Sequence, residues 1–325
     1  MSKPQQQSLT VSDTDMPYLF RSADTASLKA QRTYLWLIRA DLGLLAGAAA
    51  LSSVSISDND VKVALAAFSV VLIAGGLLLS FILKTMQHRK TWYGARAIAE
   101  STKTITWKYI TGAEPFKLDL PDRDADRLFQ SELAELMRTH EDIFAQLGSP
   151  DRPLESGSTH QLTARMREIR SLDTATRKSI YLSNRLLEQR NWYMQKANWH
   201  YGQEQLWFWL VMATQLLAMV SAILLVLWPT SPLTPTGLLT TVASAFLAWL
   251  EVRQHQDLAK AYNITMNELT LIGDHAIHVT TDKELSDFVN NAENTISHEH
   301  KLWIARRNPN LLVGGPLTVN PKDTP

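Results

Sequence analysis

Pairs of histidine and acidic residues come nearest to a metal-binding pattern in this chain. His275 and His278 share one face of a predicted helix, and so do Glu251 and His255. Structural zinc sites need four ligands and catalytic sites need three, and neither pair has further ligands nearby in the sequence. Metal binding is therefore the minor interpretation. We favour a surface or interhelix hydrogen-bonding role for these side chains.

The motifs of the common enzyme classes are missing from the chain. His298-Glu299 begins like a zincin motif, but no second histidine follows at the required spacing. Neither the glycine-rich lysine loop that cradles phosphates nor the serine elbow of acyl transfer is present. The chain has Cys 0, so it has no thiolate nucleophile and no disulfide. We predict that the protein is not an enzyme and that it uses neither a cofactor nor a metal.

Long apolar segments are the elements that must position any functional side chain. Residues 63–83 carry no charge over about 21 positions, which as a helix would reach roughly 32 Å, the thickness of the hydrocarbon core of a bilayer. Residues 206–228 are also uncharged, whereas 42–56 and 237–250 are shorter. The sequence therefore predicts an all-α membrane protein with two transmembrane helical hairpins. The four predicted spans are about 34–56, 61–84, 205–228 and 233–251.

The charges of the chain are balanced overall and uneven locally. The formal net charge is +0, so composition gives no reason to expect nucleic acid or an acidic partner. Lysines and arginines flank both hairpins, while the short loops at 57–62 and 229–236 hold only Lys62. By the positive-inside rule, both termini and the segment between the hairpins face the cytoplasm. The N-terminal region lacks the pattern of a cleaved secretory signal, so the first hairpin would serve as an uncleaved insertion signal.

An aromatic cluster precedes the second hairpin. Its members are Trp192, Tyr193, Trp199, Tyr201, Trp207 and Trp209. Such side chains can stack on nucleobases, but beside a span they are typical of an interfacial belt. We favour the belt and predict no nucleic-acid partner.

Glycines within the first hairpin predict close packing of its two helices, because small residues let helices approach each other in lipid. They are Gly43, Gly47, Gly75 and Gly76. Arg39 and Asp41 lie where the first span begins. We favour a position in the headgroup layer for both, and the alternative is a functional or snorkelling position inside the span.

Helical patterns continue outside the hairpins and predict a helical bundle. One helix is expected to run on from the first hairpin to about residue 110. Others are expected at about 125–147, 162–187, 251–272 and 282–307. Thr281 and Glu284 have the spacing of a capping box at the start of the last helix. Glu100 and Glu268 each lie within the helix that follows a hairpin, which hints at an internal repeat.

A cluster of glycine, proline and serine at 148–158 marks the predicted boundary between two units. The predicted organisation is a mobile tail at 1–17, a first unit at 18–147, a linker at 148–158, a second unit at 159–307 and a C-terminal tail at 308–325.

Residues 89–116, RKTWYGARAIAESTKTITWKYITGAEPF, resemble the signature that follows the hairpin in the bacterial SLATT superfamily of two-transmembrane effector domains. The second half resembles a different SLATT subfamily through NWYMQKANWH, AYNITMNELTLI and FVNNAENTISHEHKLWIARR. The resemblance covers most of the chain, from about Tyr18 to Arg307. The chain as a whole resembles a tandem SLATT protein, also described as DUF4231-containing.

This resemblance implies a function that the residues alone do not. The family is viewed as membrane effectors of bacterial conflict systems that oligomerise and perforate or depolarise the inner membrane. The implied protein is a homo-oligomeric, pore-forming antiphage effector or ion channel in the bacterial inner membrane. Its implied partners are the lipid bilayer and a separate infection sensor or nucleotide second messenger. The family brings no catalytic residues, and no sensing domain is recognisable in this chain, so the trigger stays open.

Polar and aromatic residues of the signatures are the candidate site residues. We expect them to form interhelix contacts that hold the cytoplasmic bundle in a resting or open state, although ordinary packing explains them equally well. In the first half they are Trp92, Tyr93, Glu100, Thr104 and Trp107. In the second half they are Glu268, Glu299, His300, Trp303 and Arg306.

Two functions of different classes remain open at this point. The first is a membrane effector that permeabilises the inner membrane. The second is a membrane-anchored scaffold or sensor whose cytoplasmic helices bind a partner without forming a pore. A transporter is the weakest option, because the spans hold no buried charge apart from Arg39 and Asp41 and no broken helix of the kind that binds substrate.

Overall fold

The computed structural model describes residues 10–54, 58–147, 160–229 and 235–307, and leaves out the side chains of 145–147 and 298–307. Within these ranges the chain is helical and has no β-strand, which confirms the predicted all-α class. The helices are α1 (Tyr18–Ser52), α2 (Asn59–Thr85), α3 (His88–Thr111), α4 (Asp122–Thr139), α5 (Glu141–Leu147), α6 (Ala164–Arg170), α7 (Thr174–Tyr181), α8 (Leu187–Leu227), α9 (Thr236–Arg253), α10 (His255–Asp274) and α11 (Asp282–Arg307). A π-helical turn, Leu182–Leu186, joins α7 to α8, and 3-10 turns lie at Asp13–Asp15 and His275–His278.

The chain forms two compact units, and each draws on both halves of the sequence. The first, called the helical unit, comprises Met1–Ala30, Arg89–Met194 and Asn263–Pro325. The second, called the span unit, comprises Gln31–His88 and Gln195–Tyr262. The predicted linker and the predicted C-terminal tail lie outside the described residues, as does most of the N-terminal tail. The two sequence units at 18–147 and 159–307 therefore remain a prediction.

Among the residues that the structure describes, three helical runs are long and apolar enough to cross a membrane: Tyr18–Ser52, Asn59–Thr111 and Thr174–Leu227. Large apolar side chains cover the outside of the apolar part of α2. Leu77, for example, is 74% exposed within the chain and Phe81 is 64% exposed. A surface of this kind is costly in water and is expected against lipid. The chain is therefore a membrane protein.

The second helix of the second hairpin, α9, is shorter than the three runs above. α9 has 18 residues and is not among the three runs that are long and apolar enough to cross. Residues 230–234, which precede it, lie outside the description. The count of four spans therefore remains a prediction.

The core of the helical unit is organised around α3. Ala95, Ile98 and Ala99 are each 0% exposed. Thr102 and Thr106 are also buried, and each hydroxyl donates to the carbonyl of the residue four positions earlier at 2.8 Å. These bonds satisfy the hydroxyls inside the helix, so the polar side chains can lie in the core without other partners.

A glutamine in the left-handed region lies between each hairpin and the helix that follows it. Gln87 has a φ of 45° and follows α2, and Gln254 has a φ of 48° and follows α9. A histidine begins the next helix in both places, at His88 and His255. The helix expected to run from the first hairpin to about residue 110 is thus interrupted at this glutamine. The repeated Gln-His step is a clearer sign of an internal repeat than the two glutamates.

Candidate functional site

A fully buried carboxylate lies at the centre of the helical unit. Glu293 of α11 is 0% exposed, and Arg185 of the π-helical turn is 1% exposed. Arg185 donates from Nε to Oε1 at 2.9 Å and from Nη2 to Oε2 at 2.8 Å. The hydroxyl of Tyr181 donates to Oε1 at 3.0 Å, and that of Thr104 donates to Oε2 at 2.7 Å. Helix α3, the α7–π segment and α11 therefore converge on one side chain, and we call these four residues the Glu293 network.

The π-helical turn helps to bring two of the donors to the same carboxylate. A π turn holds more residues per turn than an α-helix, so it changes which side chains face inward on either side of it. Tyr181 ends α7 just before this turn, and Arg185 lies within it. Both reach Glu293 from the same chain segment. π turns of this kind are frequent at functional sites.

Burial and the Glu293 carboxylate together set the protonation states of Tyr181 and Arg185, which precede the uncharged stretch at 206–228. Burial raises the pKa of Tyr181 well above its ordinary value, and the Glu293 carboxylate raises it further. Burial opposes the charged form of Arg185, but the carboxylate and its hydrogen bonds outweigh that effect and raise the pKa of Arg185. Tyr181 thus remains a neutral donor and Arg185 a charged one. The arrangement suits a fixed structural contact and offers no reactive group.

Arg170 of α6 binds the end of α3 and the turn after it. Its side chain is 4% exposed. Nη1 donates to the carbonyls of Tyr109 at 2.9 Å and Phe116 at 2.7 Å, and Nη2 donates to that of Lys117 at 2.9 Å. A cation at a helix C-terminus satisfies carbonyls that have no partner within the helix and complements the helix dipole.

Arg177 of α7 extends this capping and reaches α11. It is 2% exposed and donates to the carbonyl of Thr111, the last residue of α3. Its Nη2 also donates to Asp282 at 2.6 Å, and the Thr174 hydroxyl donates to the same oxygen at 2.5 Å. The hydrogen bond from Thr174 and the charge and hydrogen bond of Arg177 lower the pKa of Asp282, and burial only partly opposes them. Arg170, Arg177 and Arg185 lie on the segment that runs from α6 to the π-helical turn. Through their hydrogen bonds, this segment holds both α3 and α11.

The candidate residues of the first half lie in or beside the interior of the helical unit. Trp92, Tyr93 and Trp107 are 5%, 3% and 1% exposed. Trp107 packs edge-on against Tyr181 with ring centroids 5.7 Å apart, and Thr104 belongs to the Glu293 network itself. The fifth residue, Glu100, pairs with Arg96 of the same helix at 2.5 Å.

None of the candidate residues of the second half has a described contact in this interior. Glu268 is exposed on α10. The other four lie on α11, and their side chains fall outside the description. They are Glu299, His300, Trp303 and Arg306. Their role as interhelix contacts remains a prediction.

Three of the four predicted packing glycines face the neighbouring helix of the first hairpin. A Cβ added at Gly47 would lie 3.4 Å from Leu72, one at Gly75 would lie 3.3 Å from Leu44, and one at Gly76 would lie 3.3 Å from Asp41. A Cβ added at Gly43 would have nothing within 4 Å.

The two charged residues at the start of the first span have partners inside the span unit. The guanidinium of Arg39 lies 4.7 Å from the centroid of the Trp249 ring. Asp41 accepts a long hydrogen bond of 3.5 Å from the hydroxyl of Ser80 on α2. Both side chains therefore make contacts between helices.

One of the sequence-predicted histidines makes an interhelix hydrogen bond. Nδ1 of His255, which is 2% exposed, lies 2.8 Å from Nδ1 of His200 on α8. This confirms the favoured role for His255. His275 and His278 are exposed. Within the described residues, no group of three or more His, Cys, Asp or Glu side chains is placed to hold a metal ion.

The sequence analysis missed Glu293, Tyr181 and Arg185. A signal for Glu293 was present, because it lies among the buried apolar positions Val289, Ala292 and Ile296 of α11. A carboxylate on the apolar face of an amphipathic helix needs a buried partner. The identity of that partner depends on how the helices pack, and the local pattern does not contain it.

Both halves of the chain match families of the same kind. Residues 17–178 match SLATT_3, described as SMODS and SLOG-associating 2TM effector domain 3. Residues 181–303 match SLATT_1, described as SMODS and SLOG-associating 2TM effector domain 1. No curated protein and no solved structure matches the chain. Thr104 lies in the first matched region and the rest of the Glu293 network in the second. The chain belongs to the SLATT two-transmembrane effector superfamily and carries two such domains in tandem.

Proposed function

We propose that the protein is a membrane effector of a bacterial defence system that oligomerises and permeabilises the inner membrane. In this proposal both termini face the cytoplasm, and the protein acts without catalysis or a cofactor. The observation that carries it is the span unit, in which two effector domains contribute long apolar helices to one compact body. An apolar body that served only as an anchor would need a single span.

A homo-oligomer follows from the small number of helices. A bundle of a few helices fills its own centre with side chains and leaves no room for an aqueous path. Several copies around a common axis would supply enough helices to surround one. The exposed apolar side chains of α2 and α8 are available both for lipid and for neighbouring copies.

The helical unit is the part that we propose to receive the signal. The Glu293 network and the arginines at the end of α3 define one arrangement of its helices through directional bonds. A partner that favoured a different arrangement of the helices would have to break these bonds. Because each bond is either formed or broken, the helical unit is suited to a two-state response. A separate infection sensor or a nucleotide second messenger is the proposed partner class.

Replacement of the hairpins tests this function against a scaffold. Both hairpins are exchanged for unrelated transmembrane segments of matched length, with the helical unit unchanged, and the two chains are expressed at equal levels in cells challenged with phage. We expect protection with the natural hairpins and none after the exchange. Protection by the exchanged chain would instead support a tether whose helices bind a partner.

A further inference from the structure

An aspartate lies between the two helices of the first hairpin, at the depth of an apolar segment. The carboxylate of Asp41 on α1 accepts a long hydrogen bond of 3.5 Å from the hydroxyl of Ser80 on α2. A Cβ added at Gly76 of α2 would lie 3.3 Å from the same oxygen, Oδ1. Gly76 and Ser80 lie seven and three residues before Leu83, where the uncharged stretch at 63–83 ends. The carboxylate therefore lies roughly 5–10 Å inside that stretch.

Among the residues that the structure describes, no basic side chain lies at salt-bridge distance from Asp41. The nearest cation in the sequence is Arg39, whose guanidinium lies 4.7 Å from the centroid of the Trp249 ring on α9. Residues two positions apart on an α-helix point in roughly opposite directions, so Arg39 and Asp41 lie on different sides of α1. The charge of the carboxylate is therefore not balanced within the described hairpin.

An ionised carboxylate at this depth needs water or another polar group beside it. Acidic residues in transmembrane helices are rare, face the interior of a bundle or a water-filled cavity, and mark the paths of ions. One hydroxyl at 3.5 Å is weak compensation for the loss of water. The aspartate side chain is also too short to reach the headgroups, whereas lysine and arginine can extend that far. Water outside the single hairpin is therefore required.

Asp41 and Ser80 form a polar patch that opens to the outside of the single chain, and we call it the Asp41–Ser80 patch. Asp41 is half-buried, and Ser80 is exposed. Leu78 lies two residues before Ser80, on the opposite side of α2 at nearly the same depth, and is 60% exposed. At this level α2 thus presents a polar side chain on one side and an apolar one on the other. The apolar side suits lipid, and the polar side suits water.

We propose that the Asp41–Ser80 patch lines a water-filled path between copies of the chain, where the Asp41 carboxylates make permeation selective for cations. Symmetry would repeat one carboxylate per copy around a common axis, and rings of acidic side chains select cations. The ligand class is a monovalent cation such as K⁺. The inference rests on the proposed oligomer and on permeabilisation, and it names a residue that determines which ions pass.

Cysteine accessibility tests whether the patch faces water. The chain has Cys 0, so an introduced cysteine is its only thiol. The full-length variant S80C and its matched control L78C are reconstituted in lipid vesicles and treated with a charged thiol reagent that does not cross lipid. Because a thiol forms its reactive thiolate in water and not in an apolar surrounding, S80C should react at least about tenfold faster than L78C.

Two labelling results would overturn the proposal. If S80C is protected as well as L78C, the carboxyl group of Asp41 lies against lipid or protein and lines no path. If both variants react equally fast, α2 is not in lipid at this depth.

Ion selectivity tests the role of the charge. The natural chain, D41N and D41E are reconstituted in vesicles with a KCl gradient, and the reversal potential gives the permeability of K⁺ relative to Cl⁻. We expect the natural chain to prefer K⁺ about tenfold, since a path lined by one sign of charge concentrates the opposite ion. D41N should lose this preference and D41E should keep it. The control E132Q removes an exposed carboxylate from α4 and should also keep it.

The failure of this inference differs from the failure of the proposed function. If the natural chain conducts and D41N keeps its preference for K⁺, Asp41 does not select ions, and permeabilisation still stands. If the natural chain does not conduct, permeabilisation is wrong, and so is the role of Asp41 in it.

Discussion

The helical unit and the span unit differ in what holds their helices together. The helices of the helical unit are joined by directional hydrogen bonds. Buried arginines, a buried glutamate and threonine hydroxyls make them. In the span unit, small residues and aromatic rings make many of the contacts between helices, beside the hydrogen bonds of His200 with His255 and of Ser80 with Asp41, and large apolar side chains face outward. We infer that polar bonds specify one arrangement of helices in the helical unit. The apolar surfaces of the span unit remain available for lipid and for other copies of the chain.

The largest expected effect comes from removing one charge of the Glu293 network. E293Q leaves Arg185 buried without a carboxylate, and a broken buried ion pair costs about 3–5 kcal/mol. The melting temperature of the purified protein in detergent should fall accordingly. E268Q is the matched control, because Glu268 is exposed, and it should change little. A small effect of E293Q would mean that the network does not specify the helical unit.

A double substitution sharpens this test. R185M/E293L replaces the pair with apolar side chains of similar size, and such replacements are often neutral or stabilising. If stability is recovered while protection against phage is lost, the pair serves the response of the helical unit more than its stability. If R185M/E293L loses as much stability as E293Q, the pair serves mainly the stability of the helical unit, and this interpretation is wrong.

The next effect concerns packing in the helical unit. A Cβ at Gly94 of α3 would lie 2.5 Å from the side chain of Ile143, which is itself fully buried. G94A should therefore destabilise the protein by about 1–3 kcal/mol through overpacking. G202A is the control, because a Cβ at Gly202 of α8 has nothing within 4 Å, and it should stabilise by up to about 1 kcal/mol through helix propensity. Chemical denaturation measures both.

The repeated Gln-His step predicts a gain in stability. A left-handed backbone at a non-glycine residue costs about 1–2 kcal/mol, so Q87G and Q254G should each stabilise the protein by about 1 kcal/mol. Q195G, within helix α8, should destabilise it by about 1 kcal/mol. If Q87G and Q254G also destabilise, these glutamines are held by contacts that outweigh the backbone strain.

The smallest effect is a pH dependence at the start of α11. Glu284 accepts hydrogen bonds from the backbone N–H groups of Thr280 and Thr281, and these bonds lower its pKa to about 2 from an ordinary value of 4.5. Its contribution to stability is therefore complete above about pH 4.5 and is lost as the pH falls through about 2. The melting temperature of E284Q should approach that of the natural protein between pH 4.5 and pH 2. A constant difference over that range would contradict the assigned cause.

The accuracy of the sequence predictions follows the range of the interactions involved. The apolar segments were readable because the absence of charge over a membrane thickness is a local property. The capping box of Thr281 and Glu284 was also readable and is confirmed, because its partners are three residues apart. Thr104 and Trp107 were selected through the SLATT signature; Thr104 belongs to the Glu293 network, and Trp107 packs against its Tyr181. Glu293 and its partner Arg185 lie far apart in the chain, so only the packed helices bring them together. The helix break at Gln87 was missed because glutamine rarely adopts a positive φ.

Membrane potential in infected cells reports directly on whether the protein permeabilises the inner membrane. Cells that express the natural chain, or the chain with both hairpins replaced, are loaded with a potential-sensitive dye and challenged with phage. If the hairpins permeabilise the membrane, cells with the natural chain depolarise soon after infection, and cells with the replaced hairpins keep an unchanged potential. A potential that stays unchanged with the natural chain while the cells are still protected would contradict permeabilisation.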